Sequence, residues 1–107
     1  MKPVAIGYLR SDLSGSAQNW DEIRLRSLAK RFGYDLAKTI VFDARTQNPM
    51  SELIGIAQRT KAEAVFTPHR RHLGTDVPDL LVRTCDVITV DDQMTYARSY
   101  LGGRSPS

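Results

Sequence analysis

The apolar residues of this chain fall into short segments and into stripes at helical spacing. Residues 4–9 form a near-continuous apolar run, which is typical of a strand covered on both faces. Residues 36–42, 62–67 and 85–90 are three further short segments, mostly apolar, that we expect to be strands. We therefore expect a sheet of four strands.

Stripes at helical spacing lie between these runs. We expect Ser16 to cap a first helix, Gly33 to end it, and Trp20 and Phe32 to fill the core or a groove beside it. A base-stacking role for these two aromatic residues is the alternative. The inward stripe consists of Leu25, Leu28, Ala29 and Phe32.

A second helix follows the second strand. Asn48 stands where a capping residue is expected, and Pro49 suits the first turn. Its apolar stripe, at i, i+3, i+4 and i+7, consists of Met50, Leu53, Ile54 and Ala57.

Two more helices complete the predicted order of elements. Asp76 and Pro78 open a short one, and Asp91 is placed to cap a last one. We expect residues 102–107 to form a disordered tail. The inward positions of the last helix are Met94, Ala97 and Leu101.

Helices in every connection between strands imply right-handed crossovers and a parallel sheet with helices on both faces. The predicted fold is α/β, with three layers (α/β/α) around a mainly parallel four-stranded sheet of the flavodoxin-like type. With 107 residues, the chain has room for one such domain, over residues 1–101.

Composition adds two expectations. The net charge of +3 permits an anionic partner without requiring one, since 15 basic residues stand against 12 acidic ones. Cys85 is the sole cysteine, so no internal disulfide forms and a reducing compartment is favoured. With no apolar segment long enough to span a membrane or serve as a secretion signal, we expect a cytoplasmic protein without membrane contact.

Polar residues follow each predicted strand, and the carboxyl ends of parallel strands meet at one edge of the sheet. We call this the carboxyl edge. Its arginines and the start of the first helix suit a phosphate group. The alternative is that strand ends simply turn polar where they leave the core. The residues concerned are Arg10, Ser11, Asp12, Asp43, Arg45, His69, Arg70, Arg71, His72, Asp91 and Asp92.

Single residues with reactive side chains suggest no further chemistry. His69 and His72 have i, i+3 spacing, but no carboxylate or thiol lies beside them, so we expect a basic patch and no metal site. Cys85 is expected to be a small buried residue. Nothing in the sequence calls for a cofactor.

Three stretches together resemble a known family. The Gly-Tyr-Leu-Arg-Ser-Asp segment at residues 7–12 resembles the opening of the catalytic domain of resolvase/invertase-type serine recombinases. Residues 18–36 resemble its first helix and second strand, and residues 62–74 its third strand and the motif that follows, with Leu73-Gly74 kept. The resemblance extends over residues 4–90 and implies a resolvase-like fold.

The chemistry that this resemblance implies is attack of a serine hydroxyl on a DNA phosphodiester, assisted by several arginines. Tyr8 and Arg10 match the family pattern, but the nucleophile position holds Asp12. Ser11 could serve only if its hydroxyl were shifted into place.

Other departures remove most of the family's arginines. Asn48, His72 and Thr75 stand at arginine positions, and Arg71 stands at an aspartate position. We therefore expect a degenerate recombinase domain with little or no strand-transfer activity, since each lost cation weakens transition-state stabilisation.

Three functions remain open at this point. The first is association with DNA, without sequence preference, through phosphate contacts by Arg10, Arg45 and the His69-Arg70-Arg71-His72 segment. The second is a non-enzymatic protein-interaction or assembly module, for which a homodimer is one form. A small phosphate or nucleotide binder is the weaker third, because no glycine-rich phosphate loop is present.

Overall fold

The computed structural model of the chain describes residues 2–74 and 76–98, which contain five strands and four α-helices. Two short 3-10 turns, Gly15–Ala17 and Arg70–Leu73, accompany them. In chain order the elements are β1 (Val4–Arg10), α1 (Ser11–Ser14), α2 (Gln18–Arg31), β2 (Asp35–Phe42), α3 (Pro49–Thr60), β3 (Ala64–Thr67), α4 (Asp79–Thr84), β4 (Asp86–Thr89) and β5 (Met94–Tyr96).

The strands form one sheet in the order β2-β1-β3-β4-β5. β1 pairs in parallel with β2 and β3, and β3 pairs in parallel with β4. β5 runs antiparallel to β4. The prediction of an α/β fold with a mainly parallel sheet is confirmed, whereas the predicted number of four strands is wrong.

The fifth strand replaces the predicted last helix. Asp91 does not cap a helix, because the chain turns back at Gln93, whose φ angle is 52°. Two hydrogen bonds to the Asp92 carboxylate hold the turn, one from the Thr89 hydroxyl and one from the Met94 amide, 3.3 Å from Oδ1.

Side-chain preference explains this outcome. Met94-Thr95-Tyr96 combines a β-branched and an aromatic residue, which suit a strand, and it pairs with residues 87–89 of β4. Only Met94 and Ala97 of the predicted inward stripe lie in the described part of the chain. Leu101 and the predicted tail lie outside it.

Two apolar cores lie on opposite faces of the sheet, as a three-layer fold requires. Alternate residues of β1 serve each face: Ile6 and Tyr8 pack toward α3 and α4, and Ala5 and Leu9 pack toward α2. β1 thus contributes to both cores, which agrees with the unbroken apolar run that predicted it.

Helix capping differs from the prediction. Ser16 lies inside the first 3-10 turn, and α2 begins after Ala17 without a side-chain cap. Asn48 precedes α3 and Pro49 is its first residue, but the Asn48 side chain makes no capping bond. The Asn48 carbonyl accepts the Glu52 amide at 3.1 Å, which is the first hydrogen bond of the helix.

The two aromatic residues of the first helix are more exposed than predicted. Trp20 is 62% exposed and Phe32, just after α2, is 39% exposed, although Phe32 makes an edge-on contact with Phe66. Cys85 is buried as predicted, and burial raises the pKa of its thiol to about 12. Across the described residues, no helix has the length and apolar character needed to span a membrane.

Gly7 allows α2 to pack closely against β1, and an alanine there should destabilise the fold. A Cβ at position 7 would lie 2.9 Å from Thr39 Oγ1 and 3.2 Å from Leu25 Cδ1. We expect Gly7→Ala to lower the free energy of unfolding by about 1–3 kcal/mol in urea denaturation, as overpacking does.

Two further variants test this explanation. Thr39→Ala should recover part of the loss in the Gly7→Ala background, because it removes the nearest atoms. In helix α3, the added Cβ of Gly55→Ala would meet only the Arg59 guanidinium at 3.4 Å, so this control should be neutral or stabilising. Equal losses for the two glycine variants would contradict the steric explanation.

Candidate functional site

The carboxyl edge contains the topological switch point of the sheet. From β1 the chain crosses to β2 on one side, and from β2 it returns past β1 to β3 on the other. α2 and α3 consequently cover opposite faces, on the two sides of the point where β1 and β3 end. Open α/β sheets bind their ligands at such a switch point, beyond the carboxyl ends of the strands.

The segments that follow these two strands are in direct contact. The backbone amide of Arg10, the last residue of β1, donates a hydrogen bond to His72 Nδ1 at 3.0 Å. His72 belongs to the 3-10 turn that follows β3. The structure therefore brings together two of the groups that the sequence analysis assigned to one edge.

His72 is not an exposed cation in this arrangement. Its side chain is only 3% exposed, and its Nδ1 atom is used as an acceptor, which requires an unprotonated nitrogen there. Burial lowers the pKa of His72, and the positive charges of Arg71, His69 and Arg10 add to this effect, while Asp21 opposes it. A neutral His72 positions the start of α1 instead of supplying charge.

Arg10 is paired with Asp12 through both carboxylate oxygens. Arg10 Nε lies 3.1 Å from Oδ1, and Nη2 lies 2.6 Å from Oδ2. Both side chains are about 30% exposed, at 28% and 30%. A bidentate pair of this kind presents to the guanidinium the same fork of oxygens that a phosphate would present. Asp12 thus occupies the anion-binding face of Arg10.

Ser11 is the first residue of α1 and not a residue of β1. The chain leaves the extended conformation at Arg10, so the alternation of side chains along a strand no longer applies at Ser11. Ser11 is half-buried, next to both members of the Arg10–Asp12 pair. The shift that a serine nucleophile at this position would need therefore stays a prediction.

Tyr8 lies beneath this pair. Its side chain is fully buried, and its hydroxyl has no hydrogen-bond partner among the described residues. Burial raises its pKa to about 12, with Arg10 opposing the shift and Asp12 adding to it. Tyr8 also packs edge-on against Phe42 of β2, with ring centroids 5.6 Å apart. Tyr8 is therefore a neutral residue of the core, and its hydroxyl forms no hydrogen bond within the described residues.

A buried polar pair beside the edge was not predicted from the sequence. The Ser14 hydroxyl donates to Asp21 Oδ2 at 2.7 Å, and both side chains are less than a tenth exposed, at 8% and 9%. The bond fixes α1 against the first turn of α2. The spacing of residues along the helix does not reveal this contact. The turn at Gly15, whose φ angle is 54°, brings Ser14 back to Asp21.

The remaining cations of the edge lie on either side of Arg10. Arg45 follows β2, where its amide donates to Asp43 Oδ1 at 2.9 Å, and β2 neighbours β1. Arg70 and Arg71 are exposed in the turn after β3, and His69 Nδ1 accepts the Arg71 amide at 3.2 Å. Among the described residues, these three arginines form no salt bridge.

No group of three or more histidine, cysteine or acidic side chains in residues 2–74 and 76–98 is arranged to hold a metal ion. The edge instead offers exposed guanidinium groups, a half-buried hydroxyl and one neutralised arginine. Such a set can bind an anionic oxygen, but Asp12 places a negative charge beside the hydroxyl that would have to attack it.

One comparison with known proteins is informative. No protein-family model matches the sequence, and no curated protein matches it. Among solved structures, the N-terminal catalytic domain of TP901-1 integrase superimposes with a TM-score of 0.69 over 86% of this chain and 80% of the integrase chain. This chain therefore shares the fold of that integrase catalytic domain.

At 18% sequence identity, this likeness concerns the backbone. It confirms the resolvase-like fold that residues 7–12 and 62–74 suggested. The roles of Arg10, Ser11, Arg45 and residues 69–72 remain predictions.

The burial of His72 predicts a dependence of stability on pH. The folded state holds His72 with a pKa below its ordinary value of 6.5, so the unfolded chain binds the proton more readily. Stability should be complete above pH 6.5 and fall as the pH drops toward the lowered pKa of the folded state.

Thermal melting between pH 7.5 and pH 5 measures this loss, with His72→Asn as the matched variant. The asparagine amide oxygen can accept the Arg10 amide but does not titrate. The variant should therefore lose less stability across that range. A wild-type and a variant curve with the same slope would contradict the role of His72.

Proposed function

We propose that this domain is a catalytically inactive relative of the serine recombinases that associates with nucleic-acid phosphates through the carboxyl edge. The observation that carries the proposal is the bidentate pair between Arg10 and Asp12. It supports a loss of catalysis and, with the exposed arginines beside it, a retained affinity for anions.

The argument for inactivity is electrostatic. A phosphoryl transfer needs cationic donors directed at the oxygens that gain charge, and removal of one such donor costs about 2.7–4 kcal/mol of transition-state stabilisation. Here Arg10 is already neutralised by Asp12, and His72 is buried with a lowered pKa. The carboxylate beside Ser11 also repels an incoming phosphate.

The argument for phosphate contact rests on the cations that stay exposed. Arg45 and the Arg70-Arg71 pair follow the two strands that lie on either side of β1, so they lie on both sides of its carboxyl end. Exposed arginines bind phosphate oxygens in a bidentate manner and release counterions from a nucleic acid. Contacts to phosphates carry no sequence information, so the association should be unspecific.

A titration of a short DNA duplex at two salt concentrations tests this association. Arg70→Ala/Arg71→Ala should weaken binding and reduce the salt slope by about 1–2, as expected for one or two lost phosphate contacts. Arg10→Ala should change affinity by less than about 2-fold, because Asp12 already neutralises that guanidinium.

The control for this titration is Arg59→Ala/Arg83→Ala. Both residues are exposed near the carboxyl ends of their helices, away from the carboxyl edge. An equal loss in the two double variants would contradict binding at that edge. A covalent protein–DNA species that Ser11→Ala abolishes would overturn the assignment as inactive.

Asp12→Asn should strengthen DNA binding. The change removes one negative charge and frees the Arg10 guanidinium while it keeps the size of the side chain. We expect the salt slope to rise by about 1 and affinity at low salt to increase by about 3–10-fold. Asp79→Asn, an exposed carboxylate in the first turn of α4, is the control for the loss of one negative charge, and it should have a smaller effect.

A second function, that of a protein-interaction module, is favoured by a different observation. Trp20 and Ile23 of α2 are 62% and 56% exposed, although they lie on a helix that otherwise packs on the sheet. Association with DNA and association with protein use different surfaces here, so one does not exclude the other.

A further inference from the structure

The outer face of α2 carries an exposed strip that nothing in the described chain covers. The strip consists of the apolar residues Trp20 and Ile23 and the small polar residue Ser27, and their i, i+3, i+7 spacing aligns them along the helix. Leu25, Leu28 and Ala29 are buried on the opposite side of α2. Single exposed apolar residues are common in proteins, so exposure alone does not define an interface.

The shape around the strip is that of a helix-packing surface. A groove of about 270 Å³ separates Ile23 and Ser27 from the turn at Gln93. A second groove, of about 490 Å³, lies on their other flank beside Glu22 and Arg26. Helices pack by fitting a ridge of one into a groove of the other. Ile23 and Ser27 form such a ridge, and both grooves run beside it.

The charges on the exposed side of α2 change sign along the helix. Glu22 lies before the middle of the strip, and Arg26 and Lys30 lie after it. Arg24, on the opposite flank, is paired with Asp91 at 2.9 Å and with Asp21 at 4.0 Å. If two such helices run antiparallel across a twofold axis near Ile23, Glu22 of one copy faces Arg26 of the other, twice. The Trp20 indole then lies over Ser27 of the other copy, where a small side chain leaves room for it. Isologous interfaces have this self-complementary arrangement.

We propose that two copies of this chain associate through α2, antiparallel across a twofold axis near Ile23. α2 has 14 residues and is therefore about 21 Å long, so the interface is small. We expect a weak dimer, with a dissociation constant on the order of 10–100 µM. The inference is independent of phosphate binding at the carboxyl edge.

Sedimentation of the full chain over a range of concentrations tests the dimer. The mass should rise toward that of two copies as the concentration passes about 100 µM, and Ile23→Asp should keep the chain monomeric. Leu80→Asp is the matched control, because Leu80 is 63% exposed but lies on α4, on the opposite face of the sheet. A monomer throughout this range, or equal effects of the two variants, would overturn the proposal.

A charge exchange tests the orientation of the helices. Glu22→Arg alone and Arg26→Glu alone should each weaken association by about 3–10-fold, because each creates two repulsive contacts in a symmetric dimer. The double variant restores both attractive contacts and should recover association to within about 3-fold of wild type. A double variant as weak as the singles would exclude the antiparallel arrangement.

A check of the fold is needed, because Glu22 also accepts a hydrogen bond from the Gln18 amide at 3.1 Å. This bond is lost in the Glu22→Arg single variant and in the double variant alike. Recovery of association by the double variant therefore reports on contacts between copies and not on the local helix.

Discussion

The double pairing of β1 is the constraint on which the rest of the structure depends. β1 is hydrogen-bonded to β2 and β3, and its central residues are buried on both faces. A strand in this position must be apolar along its length and can become polar only where it leaves the sheet. Arg10 marks that point. The charged residues of the edge are grouped there because the core leaves them no other place near β1.

The chemistry available at the carboxyl edge depends on the contacts that Arg10 makes. The chain turns from β1 directly into α1, which brings the Asp12 carboxylate back to the Arg10 guanidinium. On the other side, the buried His72 ring accepts the Arg10 amide. One contact neutralises the arginine and the other fixes its backbone. The proposed binding role of the carboxyl edge rests on these two contacts.

The sequence predicted the parallel strands and their covering helices well, since these follow from apolar runs and helical stripes. It did not predict the Ser14–Asp21 bond, which depends on the turn at Gly15, nor the neutral, buried state of His72, which depends on packing after β3. The predicted helix after Asp91 failed because the neighbouring Asp92 closes a turn, and aspartate favours turns as well as helix starts. Without contacts between distant residues, the sequence could place charges at one edge but could not show how they pair.

The two outer strands of the sheet, β2 and β5, differ from long, regular edge strands. β5 covers the side of β4 that would otherwise present open amides and carbonyls, and it is only three residues long. At the opposite edge, β2 has a bulge at the position where it pairs with Ala5 and Ile6 of β1. It also carries the exposed Lys38. Short or bulged edges with a lysine resist the growth of intermolecular sheets. Both outer strands therefore carry features that oppose pairing with a further strand.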